Sequence, residues 1–390
     1  MVPGNEYNQV MRLLFVTDGR SPISKNWIRH FAEGGDDVFI ASTFQCEVDF
    51  PVKRLEITPV AFSAARKQGV HPGAASPRTI GLRTLIRQWF GPLTISHSAK
   101  RLRAFIEEVK PDLVHAMRIP YEGMLAADAY NGIPLIVSVW GNDFTLHAPS
   151  TPLMRHYTHW TMRVANALHA DCARDVRLAH NWGFAGEKAT LVAPGNGGIR
   201  SDVFYPPGTP VNSPVVINPR GFRAYVRNES FFRAIPIVLS KFPEARFICS
   251  SMEGESQAIQ WLKALNIEHA VQLKAAIPHA QMGEVFRGAQ IVVSPSIHDG
   301  TPNSLLEGMA CGCFPVAGDL ESIREWITHG KNGLLVDPDS PHAIADAILL
   351  GLEREDLRRD AAGLNSSLIT SRAEYQRTME RVEDFYNTIV

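Results

Sequence analysis

The sequence predicts an α/β protein of two Rossmann-like, doubly wound domains facing each other across a cleft. Three observations carry that expectation. Apolar runs of strand length alternate with amphipathic stretches of helix length, the pattern of parallel βαβ units. The alternation is broken by a Pro/Gly-rich stretch, Tyr205-Pro206-Pro207-Gly208-Thr209-Pro210 and then Ser213-Pro214, which sustains neither helix nor central strand, and it then begins again. A chain of 390 residues also supplies two cores of ordinary size.

In chain order, Arg12–Thr17 reads as the first strand, followed by the turn Asp18-Gly19-Arg20-Ser21-Pro22 and a helix through Trp27, Ile28 and Phe31 that Gly34-Gly35 stops. Residues 38–41, 113–115 and 135–139 read as further strands, with helices around 97–109, 121–130 and 151–165. After the Pro-rich stretch, taken as the interdomain linker, come a strand at 215–217 and a helix through Phe231, Ile235 and Leu239. Then follow a strand at 246–249, a helix near 255–265, a short strand at 271–273, a helix near 280–287 and a strand at 290–293. From Ser371 to Val390 the period is helical, with Tyr375, Met379, Val382, Phe385 and Tyr386 on overlapping faces. The expected division is a first domain of residues 1–205, a second of 206–370, and a helix of 371–390 that packs back onto the first. Ligands of such domains bind at the carboxyl ends of the strands.

Composition narrows the function. Apolar residues at 45% and charged residues at 20% suit a soluble globular protein, and a formal net charge of −1 argues against a nucleic-acid partner. The cysteines, Cys46, Cys172, Cys249, Cys311 and Cys313, form no C-x-x-C pair, which suits a reducing cytosol and gives no zinc spacing. No signal peptide and no membrane-spanning run is read, so a cytoplasmic protein is expected. One segment stands out. Between Glu56 and Glu107 there is no acid, while Arg66, Lys67, Arg78, Arg83, Arg87, Lys100, Arg101 and Arg103 are interleaved with Ile80, Leu82, Leu85, Ile86, Trp89 and Phe90. A basic amphipathic segment of this kind suits contact with an anionic membrane surface; a solvated, positively charged face is the alternative.

The stretch from Ser294 to Gly312 carries the most chemistry. Thr301 is placed to cap a helix whose first residue is Pro302, and Gly312 to end it. The backbone N–H groups of Asn303, Ser304 and Leu305 would then be unpaired at a helix N-terminus, where donors and helix dipole together hold a diphosphate. Gly300 lets the loop approach a ligand closely. Glu307 sits among Leu305, Leu306, Met309 and Ala310, roughly 7 Å along the axis from Pro302. A carboxylate in such apolar company needs a partner, and the hydroxyls of a ribose would serve. Asp299, ahead of the helix, would face what hangs from the far side of the diphosphate.

This stretch resembles the Glu-x7-Glu signature of retaining, GT-B-fold glycosyltransferases of family 4 (glycosyl transferases group 1), with Asp299 in place of the first glutamate and Glu307 as the second. The resemblance covers most of the chain: Pro111-Asp112-Leu113-Val114-His115, Trp140-Gly141-Asn142-Asp143, Lys188 to Gly197, Pro315-Val316-Ala317 and Gly330 to Val336 match motifs in the same order. It implies that Glu307 binds the nucleotide ribose, that Gly300, Thr301, Pro302, Asn303, Ser304 and Leu305 hold diphosphate, and that Asp299 contacts the donor sugar. It also implies a cationic pair after the first strand of the second domain. Here that pair is Arg220, in Pro219-Arg220-Gly221, and Arg227 where lysine is usual, with Arg223 as a possible substitute; both would clamp charge on the leaving diphosphate.

The chain departs from the family at Trp140, where many relatives have a histidine near the reacting carbon. Tryptophan cannot serve as a general base. In the front-face mechanism that the family implies, the leaving diphosphate takes the acceptor proton, and Asp143 is a candidate to orient a hydroxyl. The acceptor side is expected near Gly19, Trp140, Gly141 and His115, with His115 and His147 also readable as structural histidines. Asp337-Pro338-Asp339 has the Asp-x-Asp form of a metal–diphosphate site but precedes Ser340-Pro341 and a helix, so it reads as a turn and cap. No metal and no cofactor are expected.

The function so implied is hexose transfer from a nucleotide diphosphate sugar, a UDP-sugar by family frequency, to a glycan or lipid-linked acceptor in envelope polysaccharide synthesis, at the inner face of a membrane. Two alternatives stand beside it. One is a nucleotide-sugar epimerase of the same architecture. The other is a non-catalytic sugar-nucleotide or glycan-binding protein.

Overall fold

A computed structural model describes residues 10–63, 85–209 and 211–390. The chain forms two compact units, Met1–Gly197 with Met379–Val390, and Gly198–Thr378. Each has a wholly parallel sheet wound in both directions from its first strand.

In the first unit the strands are β1 (Arg12–Thr17), β2 (Asp37–Ser42), β3 (Arg54–Ile57), β4 (Leu113–Ala116), β5 (Leu135–Val139), β6 (Ala167–Ala170) and β7 (Thr190–Val192), in spatial order β3-β2-β1-β4-β5-β6-β7. β1 is flanked by β2 and β4, so the order reverses there and the loops after β1 and β4 open at the place where doubly wound sheets bind ligands. The helix Pro22–Gly34 starts as its sequence dictates. Ser21 Oγ accepts from Ser24 N, Pro22 opens the first turn, and Gly35 at φ 103° closes the last. Strands β3 and β6 carried no clear signal: Arg54-Leu55-Glu56-Ile57 is half charged, and Ala167-Leu168-His169-Ala170 has little strand propensity. The second is made a strand by being wholly buried between β5 and β7.

In the second unit the strands are β8 (Val215–Asn218), β9 (Arg246–Cys249), β10 (Val271–Leu273), β11 (Ile291–Ser294), β12 (Phe314–Gly318) and β13 (Leu334–Val336), in order β10-β9-β8-β11-β12-β13. The switch point lies between β8 and β11. On one face Phe231, Phe232, Phe247 and Ile348 are wholly buried; on the other, Phe286, Leu305, Leu306 and Met309. Each such side chain contributes about 1.5–3 kcal/mol.

Three expectations about chain organisation are corrected. The units divide at Gly197–Gly198 rather than in the Pro-rich stretch, because Ile199 and Phe204 are buried in the second unit beside Phe286. The helix expected over 121–130 is a tight turn at 119–123, with Tyr121 at φ 71°, followed by the short helix Met124–Asp128. The helix expected from Ser371 to Val390 is broken: Glu355–Arg372 and Tyr375–Ile389 are separate because Ile199 N donates to Ala373 O and Tyr375 N to Ile199 O, a bridge that opens the helix there. The part from Met379 belongs to the first unit. Tyr386 is buried against Phe31, accepts from Trp27 Nε1 at 3.0 Å and bonds His115, while His30 bonds Glu383 at 2.6 Å.

Candidate functional site

The second unit brings together the residues singled out after β8 and β11. Asn218 and Asn228, both buried, fix the turn after β8: Asn218 Nδ2 donates to Asn228 Oδ1, Asn228 Nδ2 to Gly221 O, and Asn218 Oδ1 accepts from Arg220 N. Gly221 has φ 62°, a left-handed conformation that an added Cβ would strain. Arg220 is thereby aimed at the loop after β11. Its Nη2 donates to Asp299 Oδ2 at 2.6 Å and its Nη1 to Ser304 Oγ at 3.3 Å, with 11% and 14% of the Arg220 and Asp299 side chains exposed. Its Nε is buried with no hydrogen-bond partner among the described residues.

The helix runs Asn303–Ala310, one residue later than expected, with Pro302 as its cap. Thr301 does not cap it; its Oγ1 accepts from the buried indole of Trp326 at 3.0 Å. Leu305 N donates to Pro302 O, so Asn303 and Ser304 present the N–H groups left over at this terminus. Ser322 Oγ donates to Asp299 O and pins the loop. Gly308 lets the helix lie on β11, where an added Cβ would come within 2.9 Å of Val292. Glu307 is 4% exposed. Its partner in the chain is His279, whose Nε2 donates to Glu307 Oε1 at 2.8 Å. That bond raises the pKa of His279 above its usual value against the opposing effect of burial.

The two arginines are placed differently. Arg227 N donates to Pro295 O, yet its guanidinium Nε donates to Asp339, not to the Asp299 loop. Asp339 N in turn donates to Asp337 Oδ1 and Ser340 Oγ accepts from Ala343 N, so Asp337-Pro338-Asp339 is a turn that holds Arg227 through Asp339 and leads into a capped helix. Arg223 is exposed.

In the first unit a pocket of about 370 Å³ is lined by Asp18, Arg87, Arg118, Tyr121, Trp140 and His147, among others. Four residues expected here lie elsewhere. Asp143 is wholly buried: its oxygens accept from Arg118 Nε, Ile119 N and Trp140 N, and burial raises its pKa. It shapes the Trp140 turn and is not placed to touch a hydroxyl. His115 bonds Ser138 and Tyr386 in the core, and burial with His169 nearby holds its pKa well below the usual value. Gly19 is buried, and an added Cβ there would stand 2.4 Å from Cys46 Sγ. Gly141 is buried too, its N–H donating to Asp171 and its carbonyl accepting from Arg174. Of the acceptor-side set only Trp140 faces the pocket.

Sequence reasoning missed His279, Asn218, Asn228 and Arg118. None belongs to a motif with a fixed spacing; His279 and Arg118 act through partners from other elements, while Asn218 and Asn228 close the turn between them. In the long basic segment, Arg66, Lys67, Arg78, Ile80, Leu82 and Arg83 lie outside the described residues. Arg101 pairs with Glu56, and Arg103 donates to Asp128 O. Leu85, Ile86, Trp89, Phe90 and Leu93 are exposed.

Comparison with known proteins agrees with this anatomy. A family profile described as glycosyl transferases group 1 matches residues 204–363, and one described as a glycosyl transferase 4-like domain matches residues 22–195. The D-inositol 3-phosphate glycosyltransferase of Corynebacterium glutamicum is 24% identical over 180 residues, 44% of this chain and 43% of that protein, so the chain spans under half the length of that curated relative. The GDP-mannose:cellobiosyl-diphosphopolyprenol alpha-mannosyltransferase of Xanthomonas campestris is 22% identical over 289 residues, 71% of this chain and 74% of that one. Anabaena HepE, solved in complex with UDP and glucose, superposes with a TM-score of 0.71 at 14% identity, covering 97% of this chain and all of that one, a likeness of fold. Between them the two profiles take in both doubly wound units: the chain belongs to the group 1 glycosyl transferases of family 4 and has their GT-B fold.

Proposed function

We propose that the protein is a retaining, metal-independent glycosyltransferase that moves a hexose from a nucleotide diphosphate sugar, a UDP-sugar in the first instance, to a glycan or lipid-linked acceptor of envelope polysaccharide synthesis. The observation that carries this reading is the assembly of Arg220, Asp299 and Ser304 at the N-terminus of the helix that bears Glu307. The second unit binds the nucleotide sugar and the first unit the acceptor. Asn303 and Ser304 N–H with Arg220 hold the diphosphate, in the company of Gly300, Thr301, Pro302 and Leu305. The Glu307 oxygen not bonded to His279 accepts from a ribose hydroxyl, and Asp299 orients a hydroxyl of the sugar. The anomeric carbon–oxygen bond to phosphate breaks, the bond to the acceptor oxygen forms on the same face, and the acceptor proton passes to the departing phosphate. Arg220 stabilises the charge that develops there. The relatives' names support a phosphate-bearing acceptor and leave UDP and GDP both in play, as HepE was solved with UDP and the Xanthomonas enzyme is named for GDP-mannose.

Incubation with UDP-glucose and with GDP-mannose, with and without acceptor lipid and with free nucleoside diphosphate as the readout, tests the reading. Release is expected with one of them and is expected to persist in excess EDTA. Activity that EDTA abolishes and manganese restores would overturn metal independence; interconversion of the sugar without release would make the protein an epimerase; binding without either would make it a non-catalytic binder.

No helix among the described residues is long and apolar enough to cross a membrane. The exposed side chains of Leu85, Ile86, Trp89, Phe90 and Leu93, with Lys100 exposed further along the chain, support a peripheral contact with the inner face of the membrane. Basic side chains near an anionic surface contribute about 1 kcal/mol each and are screened by salt, whereas apolar insertion is not. Sedimentation with anionic vesicles should therefore fall with salt without vanishing, and Trp89→Ser with Phe90→Ser should remove the salt-resistant part. Equal partitioning onto neutral and anionic vesicles would remove the role of the basic side chains, and none onto either would leave this face solvated.

A further inference from the structure

The pocket of the first unit has an uneven charge lining. Arg87 reaches it from the helical residues 85–90, its guanidinium carbon 4.4 Å from the ring centre of Tyr121 and 5.4 Å from that of Phe44. Tyr121 Oη donates to Arg87 O at 2.7 Å, so the same ring that lies against the cation also anchors its backbone. To do so Tyr121 adopts φ 71° and ψ −54°, a strained conformation of the kind that collects at ligand sites. Arg87 Nε is buried with no hydrogen-bond partner, and no carboxylate pairs with Arg87 among the described residues. A cation held by aromatic faces, with no carboxylate hydrogen-bonded to it among the described residues and only the charge of Glu122 nearby, is better answered when a ligand brings an anion.

The acids around the pocket are already engaged. Asp18 accepts two bonds from the Arg20 guanidinium, at 2.9 and 2.8 Å, and a third from Arg20 N. Glu122 is buried and accepts from Thr43 Oγ1 at 2.7 Å; burial raises its pKa against the opposing effects of that bond, of Arg87 and of Arg118. Asp143 is committed to Arg118. The field of the two arginines is felt at His147, which burial, then Arg118, then Arg87, push down to about 3, leaving a neutral ring on the wall. Trp140 Nε1 is a further buried donor without a hydrogen-bond partner among the described residues. The volume of about 370 Å³ falls in the ~300–1,000 Å³ range of small-ligand sites.

Resting on the reading of the first unit as the acceptor-binding unit, we propose that this pocket holds a phosphoester group of the acceptor, with Arg87 as its counter-charge and Arg118, Trp140 and His147 around it. Arg87 is the specificity determinant: it selects a phosphorylated acceptor over its neutral counterpart. The phosphoester is carried by a soluble molecule or by a lipid head group, and the test separates the two.

Calorimetry with glycerol 3-phosphate and with glycerol, on the wild type, Arg87→Gln and Arg87→Lys, is the first arm. Sedimentation of the same proteins with phosphatidylcholine vesicles, with and without phosphatidic acid, is the second. In at least one arm the phosphate-bearing probe should bind, its neutral counterpart should not, Arg87→Gln should weaken binding roughly tenfold or more, and Arg87→Lys should lie between. Arg87-dependent binding of glycerol 3-phosphate assigns a soluble source; dependence seen with phosphatidic acid alone assigns a lipid. Equal affinity of wild type and Arg87→Gln, or no binding of either probe, overturns the proposal. UDP titrated into the same samples reads the second unit separately: its failure would sink the donor reading, while unchanged UDP binding in Arg87→Gln shows that a lost phosphoester signal is local.

Discussion

Replacing Arg220 with alanine should lower the turnover of nucleoside diphosphate release by roughly 100- to 1,000-fold, the range for losing one preorganised charge-stabilising donor. The effect should fall more on kcat than on KM for the donor, because charge on the leaving diphosphate grows towards the transition state. Arg220 is built for this. Its backbone is set by Asn218, its Nη atoms are fixed by Asp299 and Ser304, and its buried Nε has no hydrogen-bond partner among the described residues. Arg220→Lys keeps the charge but not the fork, and should recover only part of the rate. Because Arg220→Ala also leaves Asp299 without its ion pair, the thermal midpoint must be measured beside the rate. Asp299→Asn is the companion: it removes the same ion pair while keeping Arg220. A variant folded at the wild-type midpoint with unchanged turnover would remove Arg220 from the reaction.

Glu307→Gln should weaken UDP binding by about 1–3 kcal/mol, the worth of a hydrogen bond to a charged group, with the fold intact. Glu307 is nearly buried and one of its oxygens is already taken by His279, so the loss would come from the other oxygen. His279 supplies an internal check. Its folded-state pKa is raised by Glu307, so the stability from this pair is in full force below about 6.5, the unfolded value, and is lost as pH rises through the higher folded value. Thermal midpoints measured across that range should fall more steeply for the wild type than for Glu307→Gln. Unchanged UDP affinity by calorimetry would withdraw the ribose role, and parallel pH profiles would withdraw the pair.

The donor loop was the most legible part of the chain, because its signals are local. A strand, a glycine, a proline and a carboxylate at fixed spacing place a helix N-terminus and an inward acid whatever the remainder does. The error there was small: Pro302, rather than Thr301, is the cap, because Thr301 Oγ1 is occupied by Trp326, a residue of another element. The acceptor side was far less legible. Gly19, Gly141, Asp143 and His115 lie close in sequence to the pocket wall and were expected on it, but each is spent on packing or on holding a turn. Tyr121, which does line it, sits in a segment whose pattern reads as helix and whose backbone turns instead, and Arg118, which also lines it, lies just ahead of that segment.

By itself the sequence determined the class of the fold, the restart of the βα rhythm, the motifs of the family and the helix that carries Glu307, since each is set by periodicity, capping or close spacing. Only the tertiary structure decided which partner each charge takes. Arg220 meets Asp299 from the neighbouring strand, Arg227 is drawn to Asp339, Glu307 finds His279, and Arg87 is set against aromatic rings. The reason is physical: a buried charge must be answered by whatever the fold brings within about 3 Å, and in a doubly wound sheet adjacent strands are far apart in sequence.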